Sequence, residues 1–185
     1  TGKWSIINPD GGFLEMMKHW DPSITLTEIS GENLVIKGTR AMIVSSGSSF
    51  FIENIDKVPD LSAYDKETWK AEAKVLKAFY HFWMMRMYGP IPIIKENIPV
   101  SAGEDEVRVV RDKIDDIVTY IVSLIDESVE YLPLNIQNEA AEMGRITRPA
   151  AKAIKAKILA FAASPFFNGN LDYANFKNAE GEPFF

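Results

Sequence analysis

The chain contains no cysteine, so neither a disulfide nor a thiolate metal site can be built from it, and cysteine usage gives no sign of the redox compartment. Histidine is nearly as scarce. His19 and His81 are the two, and neither sits in the H-x-x-x-H or H-E-x-x-H spacing that would set two imidazoles on one helix face. No metal site and no cofactor is expected. An excess of basic charge is also missing: 20 Lys and Arg stand against 26 Asp and Glu, a formal net charge of −6. Binding to nucleic acid needs a basic patch for phosphate contacts, so that partner class is disfavoured. Long apolar runs are absent too. The most apolar stretch, Ala78 to Met85, already contains His81 and falls far short of the roughly 20 residues that span a bilayer. The N-terminal TGKWSIINPDGG has neither the basic start nor the apolar core of a signal peptide. There is no phosphate loop, dinucleotide fingerprint or G-x-S-x-G elbow. Asp115 and Asp116 are neighbours on a helix, pointing about 100° apart, so they form a solvated face and not an acid/base pair. No catalytic residue is nominated.

What is present is a core-forming chain: 185 residues, 46% hydrophobic, with 11 Phe and 4 Trp. It is organised around one stretch, WKAEAKVLKAFYHFWMMRMYGPIP, from Trp69 to Pro92. Val75, Leu76, Phe79, Phe82, Trp83 and Met87 recur at three- and four-residue steps, predicting a long helix central to the core. Asp65 is the expected N-cap. Gly89 and Pro90 end the helix, because glycine tolerates the left-handed turn and proline cannot continue the ladder. Upstream, residues 1–38 are loop-rich, with a turn at Asn8-Pro9-Asp10-Gly11-Gly12 and candidate short strands at Ile24, Leu26 and Leu34-Val35-Ile36. Residues 39–57 read as a helix capped by Thr39, with Met42, Ile43, Phe50, Phe51 and Ile55 as its stripe. Downstream, Ser101 and Glu104 have the capping-box spacing, and Val107, Val110, Ile114, Ile117, Ile121, Leu124 and Ile125 predict a second long helix over 104–132, closed by Pro133. After a polar loop, an alanine-rich helix runs over 148–163, with Pro149 in its first turn, Ile154, Ile158 and Phe161 as its stripe and Ser164-Pro165 as its stop. Its small side chains would let two helix backbones approach closely. Residues 166–185 are a turn-rich tail, in which Phe184 and Phe185 are expected to be left uncovered.

Two stretches carry a resemblance. Ala71, Glu72, Ala73, Leu76, Lys77, Ala78, Tyr80, Phe82, Arg86, Tyr88, Gly89, Ile91 and Pro92 form a helix followed by G-x-[IV]-P. Later, GRITRPAAKAIKAKILAFAASPFFNG repeats the pattern G-R-x-T-x-x-A-A-x-A, ending in A-S-P-x-x-N. Together, and in this order, they resemble the SusD/RagB family of nutrient-binding outer-membrane lipoproteins. Phe51, Ile52, Glu53 and Asn54 match a third family motif, although Ser46 and Ser49 stand where it usually has Arg and Asn.

The resemblance implies a mainly α, SusD-like fold of tetratricopeptide-like antiparallel helix pairs with long loops. Residues 1–185 would be a partial domain, with 39–165 as its helical scaffold, a missing C-terminal part, and a lipid anchor on an N-terminus absent from this chain. It further implies non-covalent capture of an oligosaccharide or other nutrient at the outer-membrane surface, in partnership with a SusC-like TonB-dependent transporter and without catalysis. A helical-repeat scaffold for protein–protein interaction is the alternative, and a helical glycoside hydrolase would need two convergent carboxylates in a cleft. Trp4 and Trp20 are the residues nominated for ligand contact, because an indole offers a flat apolar face to the C–H groups of a sugar ring. Local packing of a long loop is the other reading of both.

Overall fold

A computed structural model describes residues 45–97, 101–103, 109–178 and 180–185. Helix α1 covers 45–54 and tightens into a 3-10 turn at Ile55–Lys57. It is followed by α2 (Ala63–Tyr88), α3 (Ile114–Val129), the single turn α4 (Glu139–Glu142) and α5 (Arg148–Ala162). Among the described residues there is no strand, only an isolated antiparallel bridge between Lys177 and Pro183.

The central helix exists as expected but starts earlier. Ser62, not Asp65, is the N-cap of α2: its Oγ accepts the Asp65 backbone N–H at 3.1 Å and donates to the Asp65 carboxylate at 2.7 Å. Asp65, three residues inside the helix, receives that hydroxyl and places an acidic charge in the first turn. The stop falls where read, although Gly89 takes φ 71° with ψ −131°, a positive-φ conformation outside the left-handed helical region, and returns its N–H to Met85 C=O at 2.9 Å.

The second long helix starts later than its periodicity suggests. It begins at Ile114, and Val110, assigned to its buried stripe, is 80% exposed. Hydrogen bonds from elsewhere take this backbone. Asp112 N–H donates to Ile91 C=O, its carboxylate accepts Ile93 N–H at 2.6 Å, and Ile114 N–H donates to Phe184 C=O. Residues 109–113 are therefore pinned to the extended exit of α2 and to the tail. Glu104 and Val107 lie outside the described residues. From Ile114 onward the stripe is buried as expected, through Ile117, Ile121, Leu124 and Ile125, and Val129 extends it.

Cross-helix contacts fix the stacking. Thr68 reaches Tyr131, Lys74 reaches Glu127, and His81 meets Tyr120, so sequence rises on α2 as it falls on α3. Lys155 pairs with Asp126 and Arg148 reaches Glu130, so α5 runs antiparallel to α3. Three antiparallel helices around one apolar core make the tetratricopeptide-like layer. Its centre holds Val75, Phe82, Met85, Ile117, Ile121 and Ile158.

Three expectations are corrected. Phe50 points to solvent at 62% exposure, and the inner face of α1 carries Ser45, Ser48 and Ser49, whose small side chains let it lie close to α2. Thr39, Met42 and Ile43 lie outside the described residues. On α5 the buried positions are Ala151 and Ile158, while Ala153, Ala156 and Ala160 face outward. Phe184 is buried and Phe185 half-buried, because the tail folds back: Phe185 stacks on Tyr173 and Phe167, at centroid distances of 5.0 and 5.8 Å.

Candidate functional site

Three polar residues that interrupt the apolar surface of α2, Glu72, Lys77 and His81, are buried and find partners, while the buried Nε of Arg86 finds none. Glu72 receives a two-pronged ion pair from Arg145, Nε to Oε1 at 3.0 Å and a terminal nitrogen to Oε2 at 3.2 Å. Burial pushes the Glu72 carboxyl above its ordinary value, and the Arg145 bond pulls against that shift. Arg145 also holds Glu142 at 2.7 Å and lies over the Trp69 ring. One turn further, Lys77 Nζ donates to Lys95 C=O at 2.8 Å and sits 5.9 Å from the Tyr120 centroid. Burial lowers its pKa, opposed by Glu53 and Glu96.

His81 is 1% exposed. Its Nδ1 lies 2.8 Å from Lys77 C=O, and a carbonyl oxygen only accepts, so the proton is on Nδ1; Ser45 Oγ stands 3.3 Å away. Burial holds the imidazole down at about 4, so it is neutral at pH 7. Edge-on to Tyr120 and enclosed on all sides, His81 is a packed and satisfied histidine, as its setting on the central helix predicts. This seam locks helices together and offers no open coordination position. Among the described residues no group of three His, Asp or Glu side chains gathers to hold a metal.

Among the described residues two surface hollows bear on binding. The smaller, about 250 Å³, lies beside Lys77, with Lys74, Glu53 and Glu96 around it. Three of its charges are committed: Lys77 to Lys95 C=O, Lys74 to Glu127 at 2.7 Å, and Glu53 to the Asn97 amides at 3.0 and 3.2 Å. The larger, about 560 Å³, lies where the N-terminus of α2 meets the C-terminus of α3. Tyr64 and Tyr131 flank it, Glu67, Glu130, Asn135 and Gln137 line its edge, and Arg148 lies beneath. Its floor is fixed. Thr68 Oγ1 donates to Tyr131 C=O at 3.3 Å, Arg148 N–H to Pro133 C=O at 2.8 Å, and the Arg148 guanidinium to Glu130 C=O at 3.0 Å. Aromatic faces beside exposed amides and carboxylates suit non-covalent capture of a polyhydroxylated ligand, since the edge can both donate and accept.

Trp4 and Trp20, nominated from sequence, lie outside the described residues. Asp115 and Asp116 are exposed on α3, as read. The Tyr64/Tyr131 groove was not foreseen. Each tyrosine sits at a helix end, 67 positions apart in the chain, and only the antiparallel register of α2 on α3 brings them to one side. The stop at Leu132-Pro133 was the available signal, since it places Tyr131 on an ending helix beside a turn.

Residues 44–159 match the family model described as SusD-like, starch-binding and associating with the outer membrane. A SusD-like protein of Bacteroides ovatus is 31% identical over 99 residues, covering 54% of this chain and 16% of that protein. The solved structure of BT4246 is 35% identical, with a TM-score of 0.70 over 78% of this chain and 24% of its own. A laminarin-binding SusD-like protein shares the fold at 21% identity, with a TM-score of 0.61 over 68% of this chain and 26% of its own. The chain thus spans about a quarter or less of the length of these relatives. With the two sequence motifs on α2 and α5, the helices that flank α3, and the family model matching over half its residues, this chain belongs to the SusD-like family.

Proposed function

We propose that the chain is part of a surface-exposed outer-membrane lipoprotein that captures an oligosaccharide or other nutrient. In this reading the cargo passes to a SusC-like TonB-dependent transporter, and no bond in it is broken. The observation that carries the reading is the family match across 44–159, with its starch-binding, outer-membrane description. A laminarin-binding protein among the relatives of the same fold points the same way. The helices are scaffold: Glu72, Lys77 and His81 are spent on cross-links between α1, α2, α3 and the loops. Ligand contact falls to loops and helix ends, where Trp4 and Trp20 remain the sequence nominees.

The test is calorimetric titration of the full-length protein against a glycan panel, with membrane fractionation and affinity isolation of the transporter alongside. Saturable binding without product release, from an outer-membrane fraction, is expected. Product release would overturn the non-catalytic reading, and a protein confined to a soluble fraction would overturn the lipoprotein reading. Trp4→Ala and Trp20→Ala together are expected to weaken binding, and unchanged affinity would remove both from the site.

A further inference from the structure

We propose that the groove between the start of α2 and the end of α3 is a subsite for a neutral oligosaccharide, with sugar rings stacking on Tyr131 and Tyr64. This rests on the glycan-capture reading above and assigns it a place in the fold.

The two rings stand apart from the other aromatics. Phe82, Phe161, Phe167, Phe185 and Tyr173 are joined ring to ring in one chain of contacts between 5.0 and 5.8 Å. Tyr64 is 69% exposed and Tyr131 50% exposed, and among the described residues neither meets another ring. Both border the same hollow of about 560 Å³, inside the roughly 300–1,000 Å³ range of small-molecule sites. An exposed phenol ring is a two-torsion side chain with a flat apolar face, so it stacks with little ordering cost.

The groove is also held in shape before any ligand arrives. The backbone of Tyr131 is tied to Thr68 on α2, and Arg148 on α5 clamps the carbonyls of Glu130 and Leu132. Rigid sites lose less freedom on binding. The clamp also bears on the charge of the rim. The Arg148 guanidinium donates to backbone carbonyls and keeps its charge beside the Glu130 carboxylate, and Glu67 is paired with Lys70 at 3.7 Å. With its charges offset in this way the rim holds no surplus cation to bind uronate or sulfate groups, while its exposed carboxylates and amides accept hydrogen bonds from neutral hydroxyls.

The experiment uses the full-length protein, titrated with laminarihexaose, a xyloglucan heptasaccharide, maltohexaose and hexagalacturonate. Tyr64→Ala and Tyr131→Ala are each expected to weaken the neutral sugar that binds by about fivefold, and the double variant by more than tenfold. Tyr131→Phe should restore stacking and most of the affinity. Both rings are exposed, so the thermal midpoint should stay unchanged, separating loss of a contact from loss of the fold. If a neutral sugar binds the wild type and the double variant equally, the subsite is overturned and glycan capture stands. Binding of hexagalacturonate as tight as that of the neutral sugars overturns the neutral preference. Failure of all four probes on the wild type overturns the oligosaccharide subsite and leaves the capture reading with a cargo other than a glycan.

Discussion

The most demanding prediction concerns His81 and pH. In the folded chain its imidazole is enclosed and protonates only near 4, against an ordinary value of 6.5 when exposed. Between those two values the unfolded chain takes up a proton that the folded chain refuses, so stability falls as pH falls through this window. Linkage gives a loss of about 2 kcal/mol between pH 7 and pH 5 from this one group, approaching about 3 kcal/mol at pH 4. The sign is opposite for Glu72, whose raised value favours the folded state at low pH, so a bare pH profile mixes the two. A comparison with His81→Gln separates them. Glutamine carries no titrating proton and keeps an amide donor for Lys77 C=O, while Glu72 and every exposed carboxylate titrate as before. Urea unfolding of both proteins at pH 7 and pH 5 should show the wild type losing about 2 kcal/mol more than the variant over that interval. Parallel losses, equal within about 0.5 kcal/mol, would refute the argument and mean that the imidazole is hydrated in solution.

Three further predictions concern stability and are checked by the same urea titrations. Arg145→Met should cost about 3–5 kcal/mol by leaving the Glu72 carboxylate buried and unpaired, whereas Glu72→Met with Arg145→Met should recover most of that loss. Ile121→Ala, at the centre of the core, should cost about 2–5 kcal/mol, while Val110→Ala should stay within about 0.5 kcal/mol. Equal costs at the two positions would return residues 109–113 to the buried stripe of a helix. Ser62→Ala should lose about 1 kcal/mol as the true cap of α2, and a negligible effect there would restore Asp65 to that role.

Much of the scaffold was legible because helical periodicity is a local property. The three-four alternation from Ile114 to Ile125, the Gly89-Pro90 stop, and the Pro149 start of α5 each depend on a few adjacent residues. The misreadings share one cause. Val110 continues the apolar period of α3, yet its neighbourhood is taken by backbone bonds to Ile91, Ile93 and Phe184, partners distant in sequence. The serines of α1 weaken helix propensity, yet they are buried: Ser45 Oγ faces His81, and Ser49 Oγ turns back to Ser45 C=O. Phe184 reads as an exposed apolar end until the tail folds over Gly89, whose α-carbon lies toward the Phe185 ring.

By itself the sequence determined the helical class, the family motifs, the acidic balance that disfavours nucleic acid, and the absence of thiolate chemistry. Those properties reside in residue types and short spacings, and no fold can alter them. Tertiary structure alone decided which polar groups on α2 are cross-links, because Glu72 finds Arg145 across 73 positions of chain. It also decided that Tyr64 and Tyr131 share one groove, because antiparallel packing brings the first turn of one helix to the last turn of another. Sequence spacing carries no information about that register.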